Sequence, residues 1–546
     1  MDILSNDNYT SRRSCALSSK GMVASSQYLA TQAGLKILAK GGNAADAAIA
    51  TTACLQVTQP CSTGLGGDCF VLYYDCASGK IAALNGSGRA GKRLTIERMK
   101  KIGFGERIAI DSAHTVTIPG APAAWVDFHS RFGELPMSVV LEPAIALAEE
   151  GFPVAQYTAL WWQQGAKDQL SKHRHGHELT IDNRGPEPGE LIHLPNLANS
   201  LKILAEEGKE PFYQGRIAEK VIEAVNEAGG DLITDDFAEH RSTWVEPIGI
   251  EFKGNTVWEC PPNGQGLAAL IALNVVKHLE LEERDSVGRY HQLIEAMRIG
   301  FADAAAYICD PEFGDIPLAD LLSEAYGKER ASTLNLNNMT VPSPGLFENP
   351  GAAGTDTVYF CTADQHGNAC SFINSNFMGF GSGIVPEGCG YSLQNRGHGF
   401  VLEEGHPNAL EPGKRPYHTI IPGMITNMDG SLFSAFGVMG GMMQPQGHLQ
   451  VAVGLLHDQL DPQGALDAPR FQLAEGFPDG AVMLENPLQG EISKGLEKRK
   501  HSIQITSGRD RHLFGLGQVI MRRKSGNHNV YWGGSDSRGD GCVLGL

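Results

Sequence analysis

The run from Ala353 to Asn368, AGTDTVYFCTADQHGN, places a threonine at the head of a β-rich stretch, directly after a Pro- and Gly-rich one. A threonine hydroxyl becomes a working nucleophile when a base stands beside it, and the α-amino group of the same residue is such a base once the preceding peptide bond is cut. Only backbone cleavage creates that amine inside a chain. The segment 331–356 suits a cut: it is polar, carries Pro342, Pro344 and Pro350, has no helical or strand period, and reads as a flexible linker ending at Asp356. Taken alone, Thr357 also reads as a residue that simply begins a strand, where threonine is common.

Other residues invite chemistry in the same way. Gly440-Gly441, in GVMGG, could bring two backbone N–H groups close to a developing oxyanion, or could be a plain turn before a helix at Gln446. His173, His175 and His177 lie close together in KHRHGHE without a second ligand cluster, which favours a solvated loop over a metal site. GLGGDCF at Gly64 follows a helix and precedes a strand, the reverse of the dinucleotide-binding order. Arg538-Gly539-Asp540 has the letters of an adhesion tripeptide, for which chance is the better explanation. Cys361, Cys370 and Cys389 surround the hairpin and read as buried thiols rather than nucleophiles. No metal and no cofactor is expected.

The elements that must position these residues form an α/β pattern. Ala30, Ala33, Gly34, Ile37 and Leu38 share one helical face, Gly41-Gly42 ends that helix, and Asn43 can cap an Ala-rich second helix over 44–57. Apolar runs at 70–74 and 80–84 read as strands. Helical periodicity returns at 136–151, 195–207 and 290–308, the last with Leu293, Met297, Gly300, Ala304 and Ile308 on its buried face, and TVWE at 256–259 is a short strand. TVYFCTA and ACSFINS, joined by DQHGN, make a hairpin.

Composition narrows the function classes. A formal charge of −18 argues against non-specific binding to nucleic acid or an anionic membrane, both of which need a basic face. No run of apolar residues is long enough for a membrane span. The first twenty residues lack the apolar core of a secretory signal, so a cytoplasmic protein is expected. The 11 cysteines are odd in number and contain no C-x-x-C pair, which suits reduced thiols better than a disulfide framework.

GMVAS at Gly21, GGNAADAAIA at Gly41, GLGGDCF at Gly64, PGAPAAW at Pro119, GSGIVPEGCG at Gly381, KRPYHTIIP at Lys414, GVMGG at Gly437 and LDAPRF at Leu466 together resemble the gamma-glutamyltransferase (glutathione hydrolase) family, from about residue 20 to the C-terminus. The resemblance implies a four-layer αββα N-terminal-nucleophile hydrolase sandwich of the α+β class. It implies a proenzyme that cuts itself between Asp356 and Thr357 into a large subunit, 1–356, and a small subunit, 357–546, which stay together as one body. Matching TADQHGN to the family's hairpin and counting back from Asn368 selects Thr357 rather than Thr355 as nucleophile. Gly440 and Gly441 match the family's oxyanion hole, and Ser375 stands where the family has a threonine that orients the nucleophile. The implied reaction is attack of Thr357 on a γ-glutamyl, glutathione-like amide, with transfer of the acyl group to water, an amino acid or a peptide.

The pocket residues depart from the family pattern. Phe377, Arg396 and Gly399 replace the Asn, Gln and Asp that hold the α-amino group, so the acidic counter-charge is missing. Ser87, His418 and Thr419 align with the Arg and Ser-Ser pair that hold the α-carboxylate, with Arg89 two residues away as a substitute. These changes favour an acyl group that carries a carboxylate and no amine, such as glutaryl, through arginine recognition. GGMMQPQGHLQV likewise resembles the glutathione-hydrolase-like branch related to cephalosporin acylases. A catalytically silent binding homologue is the alternative from another class.

Overall fold

A computed structural model describes residues 13–344 and 356–546. Among them, two seven-stranded antiparallel sheets dominate. One runs, in spatial order, Ala16–Ser18, His528–Ser535, Leu516–Ser525, Leu432–Met439, Gly423–Asn427, Asn255–Glu259 and Ile248–Phe252. The other runs Cys542–Gly545, Gly21–Ser25, Asp356–Asp364, Ala369–Phe377, Asp68–Asp75, Lys80–Gly86 and Thr243–Val245. The hairpin that begins with Thr357 thus sits near the middle of the second sheet.

The core divides into layers because strand side chains alternate between faces. Val358, Phe360, Cys370 and Phe372 face the helices Tyr28–Ala39 and Ala44–Thr58. Tyr359, Cys361 and Ile373 point the other way and meet Met424, Ala435 and Ile520 of the first sheet. Helices Gly266–Lys277, Val287–Tyr307 and Met443–Leu456 cover that sheet's far side. The order is helix, sheet, sheet, helix, as the expected sandwich requires. The two sheets close on each other where Gly437 lets the Tyr359 ring lie flat, since a Cβ there would stand 2.5 Å from it.

Small residues explain the tight helix packing. A Cβ on Gly34 would lie 2.3 Å from Thr51 Oγ1, so only glycine allows the first two helices this close approach. Asn43 caps the second helix as expected, its side chain accepting from Ala45 and Asp46 N–H while Asp46 bonds back to the Asn43 N–H. Asp364 in the hairpin turn accepts from Ala44 N–H at 2.9 Å, which ties the hairpin to that helix.

Two expectations change. Helix Val287–Tyr307 is buried almost all round rather than on one face, because helices pack on both sides of it and a chain segment crosses it. That segment is the first part of the expected flexible linker, and it is fastened. His291 Nε2 donates to Asn335 O at 2.7 Å, Glu295 accepts from Thr340 N–H at 2.8 Å, and Arg330 donates to Ser343 O at 3.1 Å. Residues 345–355 of the linker lie outside the described residues. All eleven cysteines are free thiols, and no helix of the described residues is long and apolar enough to cross a membrane.

Candidate active site

Thr357 is fully buried and lies on an irregularity of the hairpin. Asp356 pairs with Phe377 and Val358 with Asn374, so Thr357 alone stands opposite both Ser375 and Asn376. This is a β-bulge, and it releases the two strands from strict pairing around the Asp356–Thr357 peptide. Thr357 Oγ1 donates to Ser375 Oγ at 3.1 Å. Ser375 Oγ also accepts from the Phe377 N–H at 2.8 Å. Phe377 has φ +81°, a left-handed conformation that a bulky residue seldom adopts, and this turns the strand end back towards Ser375.

Arg396 enters from a one-turn 3-10 helix, Arg396–Gly399. Its guanidinium donates to Thr419 Oγ1 at 2.7 Å and to Ser375 Oγ at 3.4 Å, and lies 4.2 Å from the centre of the Phe377 ring. Arg396 Nε is buried and has no hydrogen-bond partner among the described residues. Gln265 continues the network: its side-chain N–H₂ donates to Thr419 O at 2.5 Å and to Gly441 O at 2.9 Å. Thr357, Ser375, Arg396, Phe377, Thr419 and Gly441 therefore belong to one connected set. Gly440 and Gly441 sit at the end of strand Leu432–Met439 with φ of +130° and +57°, conformations that favour glycine.

Asp68, whose role the sequence reading missed, lies beside this network, its carboxylate engaged by protein donors. It pairs with Ser375 across the sheet. One carboxylate oxygen accepts from Gly88 and Gly120 N–H at 2.9 and 3.1 Å, and the other meets His418 Nε2 at 3.0 Å. Ile420 N–H donates to His418 Nδ1, which assigns the proton to Nε2. Burial pushes the Asp68 carboxyl up to about 7, against the opposing pull of Arg396 and the backbone donors. Burial likewise pulls Arg396 down to about 9, with Asp68 opposing, so the guanidinium is charged at neutral pH. His418 stays neutral, since burial and the nearby Arg396 and Arg415 hold it well below its ordinary value. GLGGDCF contains this aspartate, and its glycines allow the approach: a Cβ on Gly67 would lie 2.3 Å from Ser375 O.

Arg89 is not brought into this set. Its guanidinium pairs with Glu312 at 3.1 Å and donates to Arg241 O at 3.3 Å. Two clefts border the network. One is lined by Gly399, Tyr417, Arg107, His406, Phe301 and Met442 among others. The other touches Gly440.

Among the described residues one group could present three ligands to a metal, His291, Glu295 and His501. His291 Nδ1 meets His501 Nε2 at 2.8 Å, and the Arg298 guanidinium stands 3.3 Å from Glu295. An arginine at that distance opposes a cation, and the cluster's hydrogen bonds anchor the crossing segment instead. The group His173, His175 and His177 forms no such cluster. Arg538 and Asp540 are structural: Arg538 is buried against Glu485 and Asp536, and Asp540 accepts from Tyr157 and Thr158 N–H at the start of a helix.

The family model for gamma-glutamyltranspeptidase matches residues 30–546. The chain belongs to this family. Curated members similar to it include the glutathione hydrolase-like YwrD proenzyme of Bacillus subtilis, 35% identical over 534 residues, with 97% of this chain and 99% of that one covered. The oxamate amidohydrolase proenzyme of Klebsiella pneumoniae is 30% identical, with 97% and 99% covered. A solved cephalosporin acylase from Bacillus halodurans superposes with a TM-score of 0.92 at 42% identity, covering 99% of this chain and 98% of that chain. The chain is thus a gamma-glutamyltranspeptidase-family enzyme with the N-terminal-nucleophile hydrolase fold, related both to glutathione hydrolases and to acylases.

Proposed function

We propose that this family member is a self-processing amidohydrolase whose nucleophile is Thr357 and whose acyl pocket is built around Arg396. The observation that carries the reading is the hydrogen-bonded line from Thr357 Oγ1 through Ser375 Oγ to the buried Arg396 guanidinium. It joins a nucleophile to a cation with nothing between them but a hydroxyl.

In maturation, Thr357 Oγ attacks the Asp356 carbonyl carbon, the peptide C–N bond breaks, and an ester with a free Thr357 amine remains. Water hydrolyses the ester to the Asp356 carboxylate and the Thr357 hydroxyl. The products are 1–356 and 357–546, which remain one body because the cut lies in the middle of a shared sheet. In turnover the amine accepts the hydroxyl proton as Oγ bonds to the substrate carbonyl carbon. It passes that proton to the departing nitrogen as the C–N bond breaks. Water, or an amine such as an amino acid or peptide, then takes the acyl group from Oγ. Gly440 and Gly441 N–H groups stabilise the oxyanion, a contribution of about 2.7–4 kcal/mol for each donor at such sites.

Arg396 and Thr419 would hold a carboxylate on the acyl group, and Phe377 and Gly399 offer nothing to an α-ammonium. The pocket therefore suits a carboxylate-bearing acyl group without an amine, glutaryl for example, better than γ-glutamyl. Assaying glutaryl and γ-glutamyl anilides side by side tests this. A higher kcat/KM for glutaryl is expected, and a clear preference for γ-glutamyl contradicts the acyl assignment.

A further inference from the structure

The cleft that touches Gly440 has a different character from the acyl pocket. Trp161, Met439, His512, Leu513 and Leu516 line it together with Gly440, and no Lys, Arg, Asp or Glu does so among the described residues. The Trp161 and His512 rings stand 5.5 Å apart, centre to centre, and tilted by 51°. His512 Nδ1 donates to Arg509 O at 2.8 Å, so Nε2 keeps its lone pair as an acceptor.

The geometry points to this cleft as the subsite for the amine half of the amide, and to a flat, uncharged aromatic or heteroaromatic amine as its occupant. The inference rests on the proposed function, in which Gly440 faces the reacting carbonyl. On that reading the acyl carboxylate lies with Arg396 and Thr419, and the cleft, which touches Gly440 and neither of those two residues, is left for the leaving nitrogen. A ring stacks on the Trp161 indole, and His512 Nε2 accepts from a ring or amine N–H. A peptide leaving group would instead bring a carboxylate against Met439, Leu513 and Leu516, in a cleft that no described Lys or Arg lines.

The test uses the processed enzyme and two substrates with the same acyl group, glutaryl 4-nitroanilide and the primary amide glutaramate. In Trp161→Ala the loss of kcat/KM on the anilide should exceed the loss on the primary amide by at least about tenfold, mainly through KM, with Trp161→Phe restoring most of it. Equal losses on the two substrates, or none on the anilide, overturn the proposal. Calorimetric binding of 4-nitroaniline, with glycylglycine as comparison, separates this from the acyl reading. Should wild type hydrolyse neither substrate yet bind 4-nitroaniline about tenfold more tightly than Trp161→Ala does, the acyl reading fails and the cleft stands. Binding of 4-nitroaniline that ignores Trp161, or that is matched by glycylglycine, removes the cleft whatever the turnover.

Discussion

Thr357 and Ser375 face each other across a β-bulge, joined by a 3.1 Å hydrogen bond between their side-chain oxygens. The bulge frees the Asp356–Thr357 peptide, the bond proposed to be cut, from the ladder, while Ser375, fixed by the Phe377 N–H, holds the Thr357 hydroxyl in one direction. Ser375→Ala should slow both self-cleavage and turnover by roughly tenfold, about the worth of one well-placed hydrogen bond. Ser375→Thr should recover most of the rate, because it keeps the hydroxyl. Cleavage half-times and kcat measured on the three proteins check this.

The electrostatic influence of Asp68 on the nearby Arg396 predicts a pH dependence in binding. Burial holds the Asp68 carboxyl up at about 7. Below that pH it is neutral and the Arg396 charge is uncompensated, and above it the carboxylate partly cancels that charge. KM for a carboxylate-bearing acyl amide should therefore rise as pH increases through about 7, and Asp68→Asn should flatten the rise. Arg396→Gln should raise the same KM roughly ten- to hundredfold at every pH, since a charge-assisted bond is lost. Steady-state KM profiles from pH 5.5 to 8.5, about the range over which the Asp68 charge changes, distinguish the variants.

The tripeptide Arg538-Gly539-Asp540 makes a stability prediction. Arg538 bonds Glu485 at 2.6 Å and Asp536 at 3.0 Å, all three groups being buried. Burial alone would lower its pKa, and the two carboxylates raise it instead. Arg538→Ala leaves both acids without that partner and should destabilise the fold by about 3–5 kcal/mol. Urea denaturation in the uncleavable Thr357→Ala background measures it on a single chain.

The parts of this molecule that were legible in its sequence are those set by local pattern. The hairpin shows because alternation and a turn are short-range signals, and the Asn43 cap shows because its partners are two and three residues away. Asp68 did not show, because its meaning comes from pairing with Ser375 more than three hundred residues later and from burial against His418. The fastening of 335–343 was hidden for the same reason, since Pro-rich polar sequence reads as a linker whether or not a distant helix presents His291 and Glu295 to it. Resemblance to a family brought Arg396, Thr419 and Gly441 to one site. It could not show that Arg89 is held by Glu312, or that Gln265 ties Thr419 to Gly441.

The central claim is that Thr357 makes its own base by cutting the chain before it. Intact mass and N-terminal sequencing of purified wild type and Thr357→Ala, each incubated at neutral pH, test it most directly. Two species covering 1–356 and 357–546, the second beginning TVYFC, are expected in wild type, with one uncut and inactive chain in the variant. A wild type that stays whole, or a Thr357→Ala protein that still yields the 357–546 fragment, contradicts the account.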